Sequence, residues 1–419
     1  MTSLLPPLRR GAVLACLAGL SAALAACAPP GPAGSDSSPE ETRPWSEIAR
    51  AARGQEVSLW MWGGDPAGNA YVDEELVPAA REAGVTLRRV PVADTKDAVN
   101  RILTEVQAGT DDGEVDLVWV NGDNFASVQQ AGGWRCGWAD ELPNAKFLDP
   151  DDPLLETDFG VSTRGCESPW HKAQFVFVYD ADRVTNPPTS MDGLLRWVDE
   201  HPGRFTYPAP GDFTGSVFLR HVLYATSGGV EEVPLAFDEK AFEKLAPPTY
   251  QRLEALEPSL WREGQTYPRD VAALDRLFAD GQVDFTMTYG PATLTAQVAD
   301  GTFPKSTRVL TLEEGTVGNA SFLALPATSG HPEGAKVVAN IALSPEQQAL
   351  KADPDVWGQF TVLERSRLPE QARRTFEALP QSPVVPAYEV LSENANPELS
   401  AEWVPALDEG WRRQVLGNR

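Results

Sequence analysis

From about residue 56 the apolar and polar positions fall into a repeated rhythm of strand, loop and helix. Residues 57–62 read VSLWMW, an apolar run of strand length that predicts burial on both faces. The run breaks at Gly63-Gly64-Asp65-Pro66, and helical spacing carries on to about Ala83. Residues 87–92 predict a second strand, 96–108 a helix with Val99, Ile102, Leu103 and Val106 on one face, and 115–120 a third strand. That strand ends at Asn121-Gly122-Asp123-Asn124, before a helix running to Gln130. Strand, loop and helix three times over predicts a parallel sheet with right-handed crossovers.

Residues 132–169 are loop-rich, and 174–180 (QFVFVYD) then predict another buried strand. A second series follows: a helix at 191–200, a strand at 204–207, helices at 215–226, 249–256 and 271–279, and an apolar strand at 283–289. A helix at 292–299, a strand-rich stretch at 308–325, a helix at 333–343 and a last helix at 402–415 complete the pattern. The expected fold class is α/β, with two lobes joined by a hinge whose crossings lie near 177–180 and 286–289. Ligands of open α/β sheets collect beyond the carboxyl ends of the strands. Two such sheets facing each other place a ligand in the cleft between them.

Composition narrows the partners. The formal net charge of −25 leaves no basic face for nucleic acid and none for polybasic attachment to an anionic membrane. The first fifty residues change the picture more. Arg9 and Arg10 precede an apolar run over 11–26, short for a bilayer span, which ends Leu24-Ala25-Ala26-Cys27. That ending has the pattern of a lipoprotein signal, with Cys27 left as an acylated N-terminus. The plainer alternative is an ordinary secretory signal, and either one exports the chain. Residues 28–44 (APPGPAGSDSSPEETRP) are Pro, Gly, Ser and acid without apolar period, as in a disordered tether. Once the signal is removed and Cys27 acylated, Cys136 and Cys166 remain, an even pair in an oxidising compartment. A bond between them closes a loop of about 31 residues and contributes roughly 3–4 kcal/mol in the chain-entropy model; two free buried thiols are the alternative.

Candidate ligand residues sit where strands end. Trp62 offers a flat face to a ring or cation, Gly64 lets backbone approach closely, and Asp65 brings charge; a plain turn with a core tryptophan is the alternative. Asn121 and Asp123 follow the third strand, though Asp123 also suits a helix cap. Trp170 and Gln174 precede the first crossing, and Trp170 equally suits the core of its own loop. Tyr207 ends a strand of the second lobe. Asp212, Phe213 and Thr214 open a helix whose N-terminus is suited to an anion, with Asp212 or Thr214 as an ordinary cap in the plainer reading. Tyr289 ends the second crossing before Gly290-Pro291, and Asn319 lies in a Gly-flanked turn.

These residues also carry a resemblance. WGGDP at 62–66, YVDE at 71–74, VDLVWVNGDNF at 115–125, PW at 169–170 with QFVF at 174–177, and GRFTYPAP at 203–210 are part of it. DFTGS at 212–216, LWREG at 260–264, GTVGN at 315–319 and ADPDVWG at 352–358 complete it. Over about residues 55–365 the chain resembles a type II solute-binding protein of ABC importers, of the extracellular family-1 kind. The resemblance implies a periplasmic-binding-protein-like fold, a small-molecule solute, ABC permease subunits as partners, no cofactor, no metal and a monomer. It leaves the solute open, suggesting only thiamine or another small cation, and the Cys136–Cys166 pair is not part of it.

The organisation expected on these grounds is a signal peptide over 1–26 and a tether over 27–50. Lobe 1 takes 51–178 and 290–345, lobe 2 takes 179–289, and C-terminal helices over 346–419 complete both lobes and the hinge. The protein is expected outside the cytoplasm, held by lipid on Cys27 to the outer face of the membrane. Its four histidines, His171, His201, His221 and His331, have no metal-binding spacing, and P-loop, nucleophile-elbow and dinucleotide motifs are absent from the sequence. The rival function is an exported hydrolase, for instance a glycosidase with paired carboxylates, but 60 acidic residues guarantee chance pairs.

Overall fold

The computed structural model describes residues 43–417. The expected signal peptide, Cys27 and the expected tether up to residue 42 lie outside the described residues. The expected tether is cut short, because Trp45–Ala51 is already helical and buries Ile48.

Ten strands organise the described residues. They are β1 (Glu56–Trp62), β2 (Thr86–Val92), β3 (Leu117–Val120), β4 (Thr157–Asp158), β5 (Val161–Ser162), β6 (Glu167–Gln174), β7 (Val176–Asp180), β8 (Phe285–Thr288), β9 (Thr307–Leu310) and β10 (Gly318–Ala324). The first lobe is built on a five-stranded sheet of order β2-β1-β3-β10-β6, in which β1 runs parallel to β2 and β3. β10 is antiparallel to both its neighbours, so β6 points the same way as β3. Alternation along β3 shows why the run is apolar throughout: Leu117 packs with Leu59, Val338 and Trp357 on one face, while Val118 and Val120 pack with Ile102, Phe125 and Val128 on the other.

The second lobe holds a three-stranded antiparallel sheet of order β8-β7-β9. Its core joins Phe177, Phe205, Phe218, Tyr250 and Phe285 to Trp403, Leu407 and Trp411 of the helix Trp403–Trp411. Residues 204–207, expected as a strand, form an extended segment tied through the carbonyls of Arg204 and Phe205 to the amides of Asp284 and Trp261.

The crossings are not where the apolar runs placed them. Both 177–180 and 286–289 fall within or at the end of strands of the second sheet, and Leu294, Phe303 and Leu310 pack in that lobe's core rather than in the first. A strand buried on both faces signals depth, not which sheet it joins. The chain passes between the lobes at Phe175, again over 311–317, and a third time over 380–383, since Leu379 packs against the first core and Val384, Val385 and Leu391 in the second. The first two passages are bonded to each other and to the second-lobe segment at Asn396: Phe175 N–H donates to Val317 O at 2.9 Å, Asn396 N–H to Thr316 O at 2.8 Å, and Gly318 N–H to Asn396 O at 3.0 Å.

Candidate functional site

At the carboxyl end of β1, Trp62 remains 40% exposed and its ring lies against Gly64. A Cβ on Gly64 would meet the ring and displace it. Asp65 is committed to the fold. One oxygen caps the following helix, accepting from the N–H groups of Ala67 at 3.1 Å and Gly68 at 3.2 Å, and the other accepts from Trp357 Nε1 at 2.6 Å.

After β3 the N-cap of the next helix is Gly122, not Asp123, and Gly122 N–H donates to the Asp158 carboxylate at 2.8 Å. The half-buried Asp123 side chain makes no capping bond. Asn121 is likewise half-buried in this loop. On β10 Asn319 is 6% exposed, and neither its amide nitrogen nor its amide oxygen has a partner among the described residues. Gln174, at the end of β6, braces the hinge by donating from Nε2 to Thr316 O at 2.6 Å, and its Oε1 has no partner.

In the second lobe Asp212 caps the helix Phe213–Ser227, accepting from Gly215 N–H at 3.0 Å. The protein's own carboxylate thus fills the N-terminus expected to hold an anion, and Thr214 is buried. Phe213 stays 41% exposed, its ring 5.3 Å from that of Tyr289. Tyr289 is mostly buried and donates its hydroxyl to Glu398 at 2.6 Å.

Two candidates belong to the cores instead. Trp170 is fully buried among Trp119, Trp357 and His171, and Tyr207 stacks on Phe218 while accepting from Trp411 Nε1 at 3.1 Å. Trp170 lies in the middle of β6 and Tyr207 in an extended segment outside any strand, and both side chains face the interior.

The structure adds residues that the sequence reading missed. Arg220, on the helix Phe213–Ser227, is 1% exposed and pairs with the buried Glu398 at 3.1 Å. Its Nε and the hydroxyl of nearby Tyr224 have no partner among the described residues. Phe159 sits at the tip of the β4–β5 hairpin, its ring 6.2 Å from that of Phe213 and 5.7 Å from the Arg220 guanidinium. Burial pushes the Asp158 carboxyl beside it up to about 8, and the charges of Glu398 and Asp123 add to the rise while the Gly122 N–H opposes it. Burial also raises the Glu398 carboxyl, against the pull of Arg220 and Tyr289. His221 is pushed down to about 3 by burial and by Arg220, and its neutral Nε2 accepts from Val317 N–H at 3.3 Å. No sequence signal marks this cluster, because its members lie far apart in the chain.

The lobe junction therefore combines exposed aromatic faces, unpartnered buried amide groups and more carboxylates than cations. Such a set can hold a polar solute. A separate groove of about 460 Å³ runs beside Lys172, Phe360, Tyr388 and Ala292. None of the candidate ligand residues lines it, and Lys172 is paired there with Asp152 at 2.6 Å.

Comparison with known proteins agrees with this geometry. A family model described as bacterial extracellular solute-binding protein matches residues 77–380. Protein YnjB of Escherichia coli (strain K12) is 39% identical over 368 residues, which are 88% of this chain and 92% of that protein. Among solved structures, a spermidine/putrescine ABC transporter substrate-binding protein from Streptococcus pneumoniae superposes with a TM-score of 0.62 at 14% identity, over 87% of this chain and 100% of its own. A periplasmic thiamin binding protein does so with a TM-score of 0.55 at 17% identity, over 86% of this chain and 96% of its own. At such identities these two structures establish the two-lobed type II fold alone.

Proposed function

Because the chain belongs to the family of bacterial extracellular solute-binding proteins, we propose that it captures a small solute between its lobes and delivers it to an ABC permease. The family is one of binding proteins, not enzymes, which sets the hydrolase alternative aside. In this reading the first lobe contributes Trp62, Gly64, Asn121, Asp123 and Asn319, and the second contributes Phe213 and Tyr289. A solute touching both sets favours the closed arrangement by the contacts it gains there and nowhere else. The observation that carries the reading is Asn319. A buried amide with no partner costs about 1–3 kcal/mol, and a solute bonded to it in the cleft offsets that cost.

The solute class proposed is a small organic cation. Burial chiefly raises the Asp158 carboxyl, and the charges of Glu398 and Asp123 add a smaller repulsion among acidic groups at the junction. A bound cation relieves it, and aromatic faces at Trp62 and Phe213 suit the same charge. Two proteins of the same fold are named for thiamin and for spermidine/putrescine, compounds of this class. Acylation at Cys27 would hold the protein to the outer face of the membrane. No helix among the described residues is long and apolar enough to cross one.

Titration calorimetry with thiamine, spermidine and putrescine, against glutamate and glucose as controls, tests the class. A cation should bind, and Trp62→Ala and Asn319→Ala should each weaken it about tenfold or more, with melting temperatures close to wild type. Tighter binding of an uncharged or anionic compound, or affinity unmoved in both variants, overturns the assignment.

A further inference from the structure

The hairpin that carries Phe159 is unusual for its turn. Phe159 has φ 46° and Gly160 φ 75°, so both central residues of the two-residue connection between β4 and β5 lie in the left-handed region. That turn favours Asn, Asp or Gly, and a bulky side chain there is an outlier which persists only when surrounding contacts over-determine it. The contacts here come from both lobes. On the first lobe, Asp158 accepts from Gly122 N–H at 2.8 Å, and a Cβ on Gly122 would press on the Phe159 ring. On the second, the ring packs by Phe213 and Arg220, the Phe159 carbonyl accepts from Ala401 N–H at 3.2 Å, and Gly160 abuts Ser400. Phe159, Ala126 and Ala401 form a small apolar cluster of their own, apart from either lobe's core, and Phe159 is 4% exposed in it. The base of the excursion is tied by the bond between Cys136 and Cys166.

We infer that the β4–β5 hairpin is a latch between the lobes: Phe159 docks on the helix Phe213–Ser227 and on the segment 400–401, holding the cleft shut and so setting the affinity for solute. The strained turn is kept because the ring it presents covers the Arg220–Glu398 pair from water. Parting the lobes would expose ring and ion pair together. The inference rests on the lobe-closure reading above, but the latch has a readout that needs no solute.

Two substitutions test it from opposite sides. Phe159→Gly removes the ring and leaves Gly-Gly, which suits both left-handed positions, so the hairpin still folds. Ala401→Asp places a charge against the tip from the second lobe. Small-angle X-ray scattering of the solute-free protein should give a larger radius of gyration for each variant than for wild type, with unchanged far-ultraviolet circular dichroism. Scattering profiles that superpose for all three proteins overturn the latch. In calorimetry with whichever organic cation binds wild type, both variants should show about tenfold weaker affinity, because the binding-competent fraction falls. Expanded scattering with no cation bound by any of the three would uphold the latch and refute the solute class, so the two failures are separable.

Discussion

Asp158 shows how far a single residue here departs from what its neighbours in sequence suggest. It lies in a loop-rich stretch, yet it is buried, bonded to Gly122 N–H and raised to about 8. Between about pH 4, the ordinary aspartate value, and about pH 8 the folded protein keeps a proton that the unfolded chain has lost. Stability therefore falls as pH rises through that window and levels off above it. Asp275, raised to about 6, and Glu398 act with the same sign, so wild type alone cannot assign the effect. Asp158→Asn keeps an acceptor for Gly122 and removes the titration. Its melting temperature relative to wild type should climb steadily from pH 5 to pH 8; a difference constant with pH would place the raised carboxyl elsewhere. The same scale marks the limit of sequence reading. Of the residues singled out in the sequence, Asp65, Trp170 and Tyr207 turn inward to a cap and two cores, while Arg220, Glu398 and Phe159 give no signal until the chain folds.

At the scale of elements, the apolar runs predicted β1, β2 and β3 and the helices between them closely, because period and length both argued for them. What they did not carry was allegiance. β7 and β8 are as apolar as any crossing, yet they pair with each other, and β7 with β9, in the second sheet, and the third passage over 380–383 has no pattern at all. The excursion between Cys136 and Cys166 was legible only as loop, since β4 and β5 are two residues each. Its covalent tie makes a measurable claim. Cys136→Ser together with Cys166→Ser should lower stability by roughly 3–4 kcal/mol in the chain-entropy model, seen as a lower urea midpoint. A midpoint equal to wild type would mean that the hairpin holds its place without the bond.

The whole molecule is two lobes with separate cores and three passages between them, and the proposed solute would meet Asn319 of the first lobe and Phe213 and Tyr289 of the second. The net charge of −25 favours approach by cations over a distance, and salt should weaken that approach. The most direct test is a thermal-shift screen of the body from residue 43 onward against organic cations, amino acids, sugars, phosphates and metal ions. A ligand at 100 times its dissociation constant adds about 2.7 kcal/mol, a visible rise in melting temperature. The account predicts one saturable organic cation whose shift disappears when Trp62, Asn319 and Phe213 are replaced by alanine together. A shift of undiminished size in that triple variant, or chemical turnover of the compound that binds, would contradict it.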